Sequence, residues 1–267
     1  MYVVCTFHDY RFFYDYLAAL HPYLQHTVIP NVTKIDPDET YLFVLSIPEE
    51  FLACPNVMYL NTEQLSQPRW YTQVQSYLER GIRVLDYDLF QSQITDSLLH
   101  QYLPYPYESH LTELVRTTPK VHDVAICSIN SDRRHAMAVA LHQRGVDVVD
   151  IHDWGESRDR RIAQCRILLN VHYTEQYQIF EHVRCDRWIM AGMRIVTEPS
   201  LSDPLLDVAP FMTIVAYEKM ADTVVRLLSS SNEEEKKLDA LRQARHEQCT
   251  ATVSHLKNFK NFKNIGT

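Results

Sequence analysis

Arginine and carboxylate residues in the second half of the chain have the types and spacing of an anion-binding site. Glu181 and Arg184 are three positions apart, so on a helix they share one face, one turn from its start. Backbone N–H groups at a helix start favour anions, and a guanidinium matches phosphate oxygens. The pair therefore predicts a diphosphate site, with Glu181 able to accept hydrogen bonds from sugar hydroxyls. An isolated Glu-x-x-Arg is more often an exposed ion pair, and that alternative stays open.

A second cationic pair, Arg133 and Arg134, follows a predicted strand at the start of a predicted helix. A solvated helix start is the commoner meaning of such a pair. The chain has only five glycines, and neither a Walker A motif nor a G-x-G-x-x-G run is present. A phosphate site must therefore rely on arginines and helix ends.

Polar residues also lie at the carboxyl end of an apolar strand that is predicted at residues 167–172. Asn170, His172 and Tyr173 lie at this strand exit, and ligands of parallel sheets bind beyond the carboxyl ends of the strands. The alternative for His172 is a buried histidine with protein partners, and for Tyr173 a position on the rim.

The elements that position these residues are short apolar strands alternating with helical segments, a pattern typical of parallel sheets covered by helices. The sequence predicts strands at 2–7 and 123–128 and helices at 12–25, 134–144 and 178–191. The prolines between Tyr102 and Ser109 interrupt the pattern. The predicted domains are an α/β domain at 1–105, a linker at 106–118, a second α/β domain at 119–231, and a helix and tail at 232–267.

Composition narrows the class of protein. The 267 residues are 46% hydrophobic and 22% charged, so the chain has enough apolar residues for a large core. The net charge of −8 argues against nucleic acid as a partner. The six cysteines are scattered, without a zinc-binding spacing, and no apolar run approaches the roughly 20 residues of a membrane span. These features predict a cytoplasmic protein without a transmembrane segment.

Residues 123–198, somewhat over a quarter of the chain, resemble the C-terminal nucleotide-binding domain of GT-B glycosyltransferases, close to the group 1 type. The motifs that carry the resemblance are Ser128-Ile-Asn-Ser-Asp-Arg-Arg134, His152-Asp-Trp-Gly-Glu156, Leu168-Leu-Asn-Val-His-Tyr173, Glu181-x-x-Arg184, Gly192 and Ile195-Val-Thr-Glu198. The spacing from Glu181 to Glu198 is the most specific part.

The resemblance implies two Rossmann-like domains, with parallel sheets and helices on both faces, that face each other across a cleft. The second domain would hold a nucleotide diphosphate-sugar such as a UDP- or GDP-sugar, and the first would hold a hydroxyl acceptor, a glycan or a small molecule. No metal and no cofactor besides the donor substrate are expected, because arginines and a helix N-terminus offset the charge of the departing diphosphate.

The resemblance also implies roles for individual residues. The residues expected to contact the donor nucleotide and its diphosphate are Ser128, Asn130, Arg133, Arg134, His152, Asp153, Trp154, Gly155, Arg184 and Glu198. His172, Tyr173 and Glu181 would lie near the donor sugar, with His172 and Glu181 as catalytic candidates. The chain departs from the family at Arg187, where retaining members often carry a ribose-binding glutamate, and at Ser128, where many carry glycine. Retaining and inverting chemistry both stay open.

An inverting reaction needs a general base from the first domain. His8 and Asp9 follow the first predicted strand and are the candidates for that base. The alternative is a loop histidine and a helix N-cap.

Two other classes of function remain open. The chain can be a non-catalytic module that binds a nucleotide or nucleotide-sugar. It can also be a scaffold whose tail, with Lys-Asn-Phe twice at residues 257–262, recruits a partner or touches a membrane peripherally. Packing of this tail back onto the first domain is the more common arrangement.

Overall fold

The computed structural model describes the backbone of residues 1–230 and 238–262, and the side chains of residues 1–6, 12–230 and 238–256. It confirms the α/β class, with two Rossmann-like sheets of parallel strands flanked by helices. The chain divides into two compact units. The first contains Met1–Pro106 and the C-terminal residues from Gln243, and the second contains Tyr107–Arg242.

The first unit contains a parallel sheet of six strands. Its strands are β1 (Tyr2–Val4), β2 (Thr27–Ile29), β3 (Tyr41–Val44), β4 (Val57–Asn61), β5 (Arg83–Asp86) and β6 (His100–Tyr102), and its helices are α1 (Phe7–Leu24), α2 (Pro68–Glu79) and α3 (Leu89–Ile94). The strand order is β2-β1-β3-β4-β5-β6. β3 and β4 are buried at every position, as expected for strands covered on both faces.

The start of the chain differs from the prediction. β1 ends at Val4 rather than Phe7, and α1 begins at Phe7 rather than Phe12. No glycine or proline lies between residues 5 and 21, so no helix breaker delays the start of α1. His8 and Asp9 thus belong to the first turn of a helix and not to an opening loop, and their side chains lie outside the described residues.

One buried histidine of the first unit predicts acid sensitivity. His26 lies between α1 and β2, and its Nδ1 has no hydrogen-bond partner in the part of the chain that the structure describes. Burial, with smaller contributions from His21 and the N-terminal amine, lowers the pKa of His26 from 6.5 to about 4. Between these two pH values the unfolded chain binds a proton that the folded chain does not, so stability falls as the pH falls through this window.

Between pH 7 and pH 4.5 the free energy of unfolding of the wild-type protein should fall, and in His26→Leu this fall should be smaller by about 2 kcal/mol. Urea unfolding at both pH values measures the difference. The exposed His255 supplies the control, because His255→Leu should leave the pH dependence unchanged. An unaltered loss of stability in His26→Leu would contradict the assignment.

The second unit contains a parallel sheet of five strands. Its strands are β7 (His122–Cys127), β8 (Val148–Ile151), β9 (Cys165–Asn170), β10 (Arg194–Thr197) and β11 (Thr213–Ile214), and its helices are α4 (Ser109–Thr117), α5 (Asp132–His142), α6 (Gly155–Ala163), α7 (His182–Met190) and α8 (Tyr217–Ser229). A last helix, α9 (Leu238–Phe262), begins among residues of this unit and ends among residues of the first.

Strand order sets the place of the candidate site. The order is β11-β10-β9-β7-β8, so after β7 the chain continues to β8 on one side and to β9 on the other. The carboxyl ends of β7 and β9 thus border a topological switch point, where open α/β sheets bind ligands.

Two predictions about the second unit need correction, and two about the C-terminal segment fall outside the described residues. Residues 109–117, assigned to a linker, form α4 of the second unit. α7 begins at His182 rather than Gln178, because Phe180 N–H donates to Ser202 Oγ and Gln178 O accepts from Leu201 N–H instead of joining the helix. The start of the helix and tail predicted from residue 232, and the side chains of the tail at 257–262, lie outside the described residues. Among the described residues, no helix combines the length and the apolar content of a membrane span.

Candidate functional site

Arg134 joins the loops that follow β7 and β9. It is buried, with 4% of its surface exposed. Its Nε donates to Val171 O at 2.9 Å and its Nη1 to Ile129 O at 2.5 Å. The hydroxyl of Ser131, the N-cap of α5, accepts from Arg134 N–H at 3.3 Å and so sets the start of the helix that carries this side chain. Arg134 is therefore a fixed cation at the switch point.

Arg184 brings a second cation to the same place. Its Nη1 donates to Asn170 Oδ1 at 2.9 Å, and its Nη2 lies 3.8 Å from Glu181 Oε2. Asn170 is itself oriented by a 3.0 Å hydrogen bond to Thr197 Oγ1. Burial, and then the charge of Arg184, lower the pKa of Arg134 to about 10. Glu181 and Glu198 act in the opposite direction on the pKa of Arg134, and a bound anion would add to this compensation of the two guanidiniums.

Arg133 and Glu198 contact each other across the β7 and β10 exits. Arg133 Nη2 pairs with Glu198 Oε2, while Glu198 Oε1 accepts from His172 N–H at 2.9 Å. The Arg133 guanidinium also stacks on the Tyr217 ring, 3.9 Å from the ring centroid. Both oxygens of Glu198 therefore have protein partners, and this carboxylate positions Arg133 and the β9 exit.

His172 lies at the β9 exit as a buried imidazole. Its Nε2 is 3.4 Å from Ser200 Oγ. Burial lowers the pKa of His172, whereas Glu198 and Glu181 act in the opposite direction. The imidazole is thus neutral at pH 7. The adjacent Tyr173 is exposed, and Arg134 Cζ lies 5.5 Å from its ring centroid.

The loop His152–Gly155 lies at the exit of β8, next to β7 in the sheet. Asp153 Oδ2 accepts from Arg161 Nη1 at 2.7 Å, which holds the loop against α6. The Trp154 side chain is 43% exposed. Gly155 has φ +59° at the first residue of α6, a conformation that disfavours a side chain. His152 is exposed, and at the neighbouring β7 exit Ser128 is half-buried and Asn130 exposed.

A buried ionic network beside the site could not be read from the sequence. Arg187, 3% exposed, donates to Asp159 at 3.1 and 3.0 Å and to Glu108 at 3.0 Å. Arg158 also pairs with Asp159, at 2.6 Å. Glu108 is 79 residues from Arg187, so no local spacing indicates the contact. The side chain that departs from the glycosyltransferase pattern is thus bound to two carboxylates.

The geometry therefore gathers Arg133, Arg134, His172, Arg184 and Glu198 at the exits of β7, β9 and β10. Asn170 orients Arg184. The sequence predicted only that Asn170 lies at a strand exit, not that it contacts Arg184. His8 and Asp9 are not tested, because their side chains are outside the described residues.

Fold and site together define a two-unit α/β protein with a cationic cluster at the switch point of its second sheet. No model of a known protein family matches the chain. The chain is 30% identical to "Uncharacterized protein L140" of Acanthamoeba polyphaga mimivirus, over 97% of its own length and 90% of that protein. It belongs to the family of L140.

Two further mimivirus relatives are longer. "Uncharacterized protein L138" is 29% identical over 95% of the chain, and "Uncharacterized protein L137" is 28% identical over 96% of it. The chain spans 32% of L138 and 37% of L137, so it matches about a third of each.

Proposed function

We propose that this protein is a metal-independent GT-B-type glycosyltransferase that moves a sugar from a nucleotide diphosphate-sugar to a hydroxyl of a glycan or small molecule. The observation that carries the proposal is the pair of buried or half-buried guanidiniums, Arg134 and Arg184, that meet at the switch point. Two neighbouring cations are costly unless an anion joins them, and a diphosphate fits their forked N–H groups.

In the proposed reaction, the guanidiniums of Arg134 and Arg184 stabilise the departing diphosphate. As the bond from the anomeric carbon to the diphosphate oxygen breaks, negative charge grows on the diphosphate. Fixed guanidiniums stabilise that charge without reorganising. The anomeric carbon bonds to the acceptor oxygen, whose proton passes to a base, and a nucleoside diphosphate is released. Arg133 lies beside the pair, held in place by Glu198.

His172 and Glu181 supply the polar surface for the donor sugar. A neutral imidazole donates one hydrogen bond and accepts another, and an ionised carboxylate accepts, so the two groups complement sugar hydroxyls. Tyr173 adds an exposed aromatic face next to Arg134. The loop His152–Gly155, with the exposed indole of Trp154, is the proposed contact for the base.

A second candidate function is a non-catalytic nucleotide-binding module. One observation favours it: Arg187 forms ion pairs with Glu108 and Asp159. In retaining members of the glycosyltransferase family that the sequence resembles, this position often carries a ribose-binding glutamate instead. Release of UDP or GDP from UDP- and GDP-sugars by the purified protein, alone or with sugar acceptors, supports the transferase. Nucleotide binding without any release favours the binding module.

Nucleoside diphosphates should raise the melting temperature. At a hundred times its Kd a ligand adds about 2.7 kcal/mol to stability, a shift of several degrees. We expect this shift with UDP or GDP, measured by scanning calorimetry without added metal and with EDTA. If neither UDP, GDP, ADP nor CDP shifts the transition, both the transferase and the binding module are wrong.

The proposed compartment is the reducing cytoplasm. Its support is that all six cysteines are free thiols, and that burial raises the pKa of Cys165 to about 11 and of Cys249 to about 12. Such thiols are unreactive small apolar groups rather than disulfide partners.

A further inference from the structure

A cavity of about 270 Å³ opens between the exits of β7 and β8, on the side of β7 away from β9. It is lined by Asn130, Ser131, Asp132, His135 and Asp150. The first three come from the loop after β7 and the first residue of α5, and Asp150 comes from β8. The cavity is therefore separate from the cluster of guanidiniums at the β7 and β9 exits, but the same turn of α5 borders both.

Of the five polar side chains that line this cavity, one is used within the protein, because the Ser131 hydroxyl accepts from Arg134 N–H. In the part of the chain that the structure describes, the side chains of Asn130, Asp132, His135 and Asp150 make no hydrogen bond or ion pair. By contrast, Glu198 and Asn170 of the neighbouring cluster use their oxygens on protein groups. Four unused polar side chains that converge on one cavity are available to a ligand.

The chemistry of these side chains selects the kind of ligand. Two carboxylates can only accept hydrogen bonds, so they call for a donor such as a hydroxyl group, and the amide and imidazole can donate or accept in turn. No three histidine, cysteine or carboxylate side chains lie close enough together to share a metal ion, within the described ranges. The lining thus complements a small ring with neighbouring hydroxyls better than a bare cation.

The position of the cavity indicates which ring of a nucleotide it would hold. Asp132 lines the cavity, and its chain neighbour Arg133 belongs to the cationic cluster; consecutive Cα atoms are about 3.8 Å apart. In a nucleoside diphosphate, ribose is joined directly to the diphosphate. A diphosphate bound at the guanidiniums would therefore bring ribose over the first turn of α5, and the base towards Trp154 after β8.

We propose that this cavity binds the ribose of the nucleotide, with Asp150 and Asp132 accepting hydrogen bonds from the 2′ and 3′ hydroxyls. The inference rests on the proposed nucleotide binding and adds a selectivity for ribonucleotides over deoxyribonucleotides. Asp150 is the better residue to vary, because it is exposed on an edge strand, whereas Asp132 also supports the start of α5.

The test measures Kd by titration calorimetry for UDP and GDP and for their 2′-deoxy and 3′-deoxy forms. Hydrogen bonds to charged groups predict that the wild-type protein binds the ribonucleotide about tenfold more tightly than at least one deoxy form. Asp150→Asn should lose about tenfold in ribonucleotide affinity and no longer distinguish that pair. Asp222→Asn is the matched control, since it removes the same charge from an exposed position of the same unit and should behave as wild type.

The outcomes separate this inference from the proposed function. Equal affinities for all three sugar forms in the wild-type protein overturn the ribose site, even if UDP or GDP binds tightly. The ribose site is also wrong if Asp150→Asn loses the same affinity for the ribonucleotide and for both deoxy forms. It is wrong as well if Asp150→Asn binds all three nucleotides with wild-type affinity. If no nucleoside diphosphate binds at all, the proposed function itself fails and the ribose site with it. An unchanged melting temperature of Asp150→Asn shows that the variant is folded.

Discussion

Arg184→Ala should lower the affinity for UDP or GDP about a hundredfold, because truncating one partner of a buried charge pair costs roughly 2–5 kcal/mol. Arg184 is held by Asn170 and lies near Arg134, so its guanidinium has a fixed place in the proposed diphosphate site. Arg184→Lys keeps the charge and loses the fork, and we expect an intermediate loss of about tenfold.

The variant is informative because its effects on binding and folding differ. Removing Arg184 leaves Asn170 Oδ1 without this donor, but it also relieves a repulsion that, after burial, lowers the pKa of Arg134. These two effects oppose each other, so the melting temperature without ligand should change little. Arg144→Ala removes an exposed guanidinium of the same unit and should leave nucleotide affinity unchanged. Wild-type affinity in Arg184→Ala would remove the main support for the transferase.

Arg187→Leu should destabilise the second unit by about 3–5 kcal/mol, because it leaves the carboxylates of Glu108 and Asp159 buried beside an apolar side chain. The guanidinium uses its planar fork on both carboxylates, so Arg187→Lys should recover only part of the loss. Urea unfolding followed by tryptophan fluorescence measures this. A Trp70→Phe background leaves only Trp154 and Trp188, which both belong to the second unit.

The matched control is Arg116→Leu in α4. Arg116 also forms a bidentate pair, with Glu113, but both side chains are exposed, and such pairs contribute less than about 1 kcal/mol. A loss in Arg187→Leu no larger than that in Arg116→Leu would show that the network is not a stabilising element.

Local sequence pattern accounts for much of the second unit. The predicted strands at 123–128 and 167–172 and the predicted helices at 134–144 and 178–191 match β7, β9, α5 and α7 within a few residues, because each has apolar residues at a strand or helix period. Gly145 follows α5 with φ +77°, and Gly192 follows α7 with φ +90°. Residues with a side chain rarely adopt these positive φ angles, so glycine is expected at both helix ends. Elements with weak periodicity were missed: β6 has three residues and α3 has six.

The candidate site was predicted as a set of strand exits, and that much follows from parallel topology. The direction of each side chain does not. Asn170 orients Arg184, Glu198 binds the backbone of His172, and Ser202 holds Phe180 outside α7. Each of these contacts joins segments that are distant in the chain, so no spacing rule contains it.

The amino-acid sequence alone determined the α/β class and the strands after which cations and polar groups appear, because apolar periodicity and strand ends are local properties. Only the tertiary structure decided which charges are paired and which are not. Arg187 is enclosed by Glu108 and Asp159, and Arg134 and Arg184 are brought together, whereas the Asp150 carboxylate faces a cavity and has no side-chain partner among the described residues. The physical reason is that pairing and burial of a charge depend on segments brought together by folding, which a linear pattern does not record.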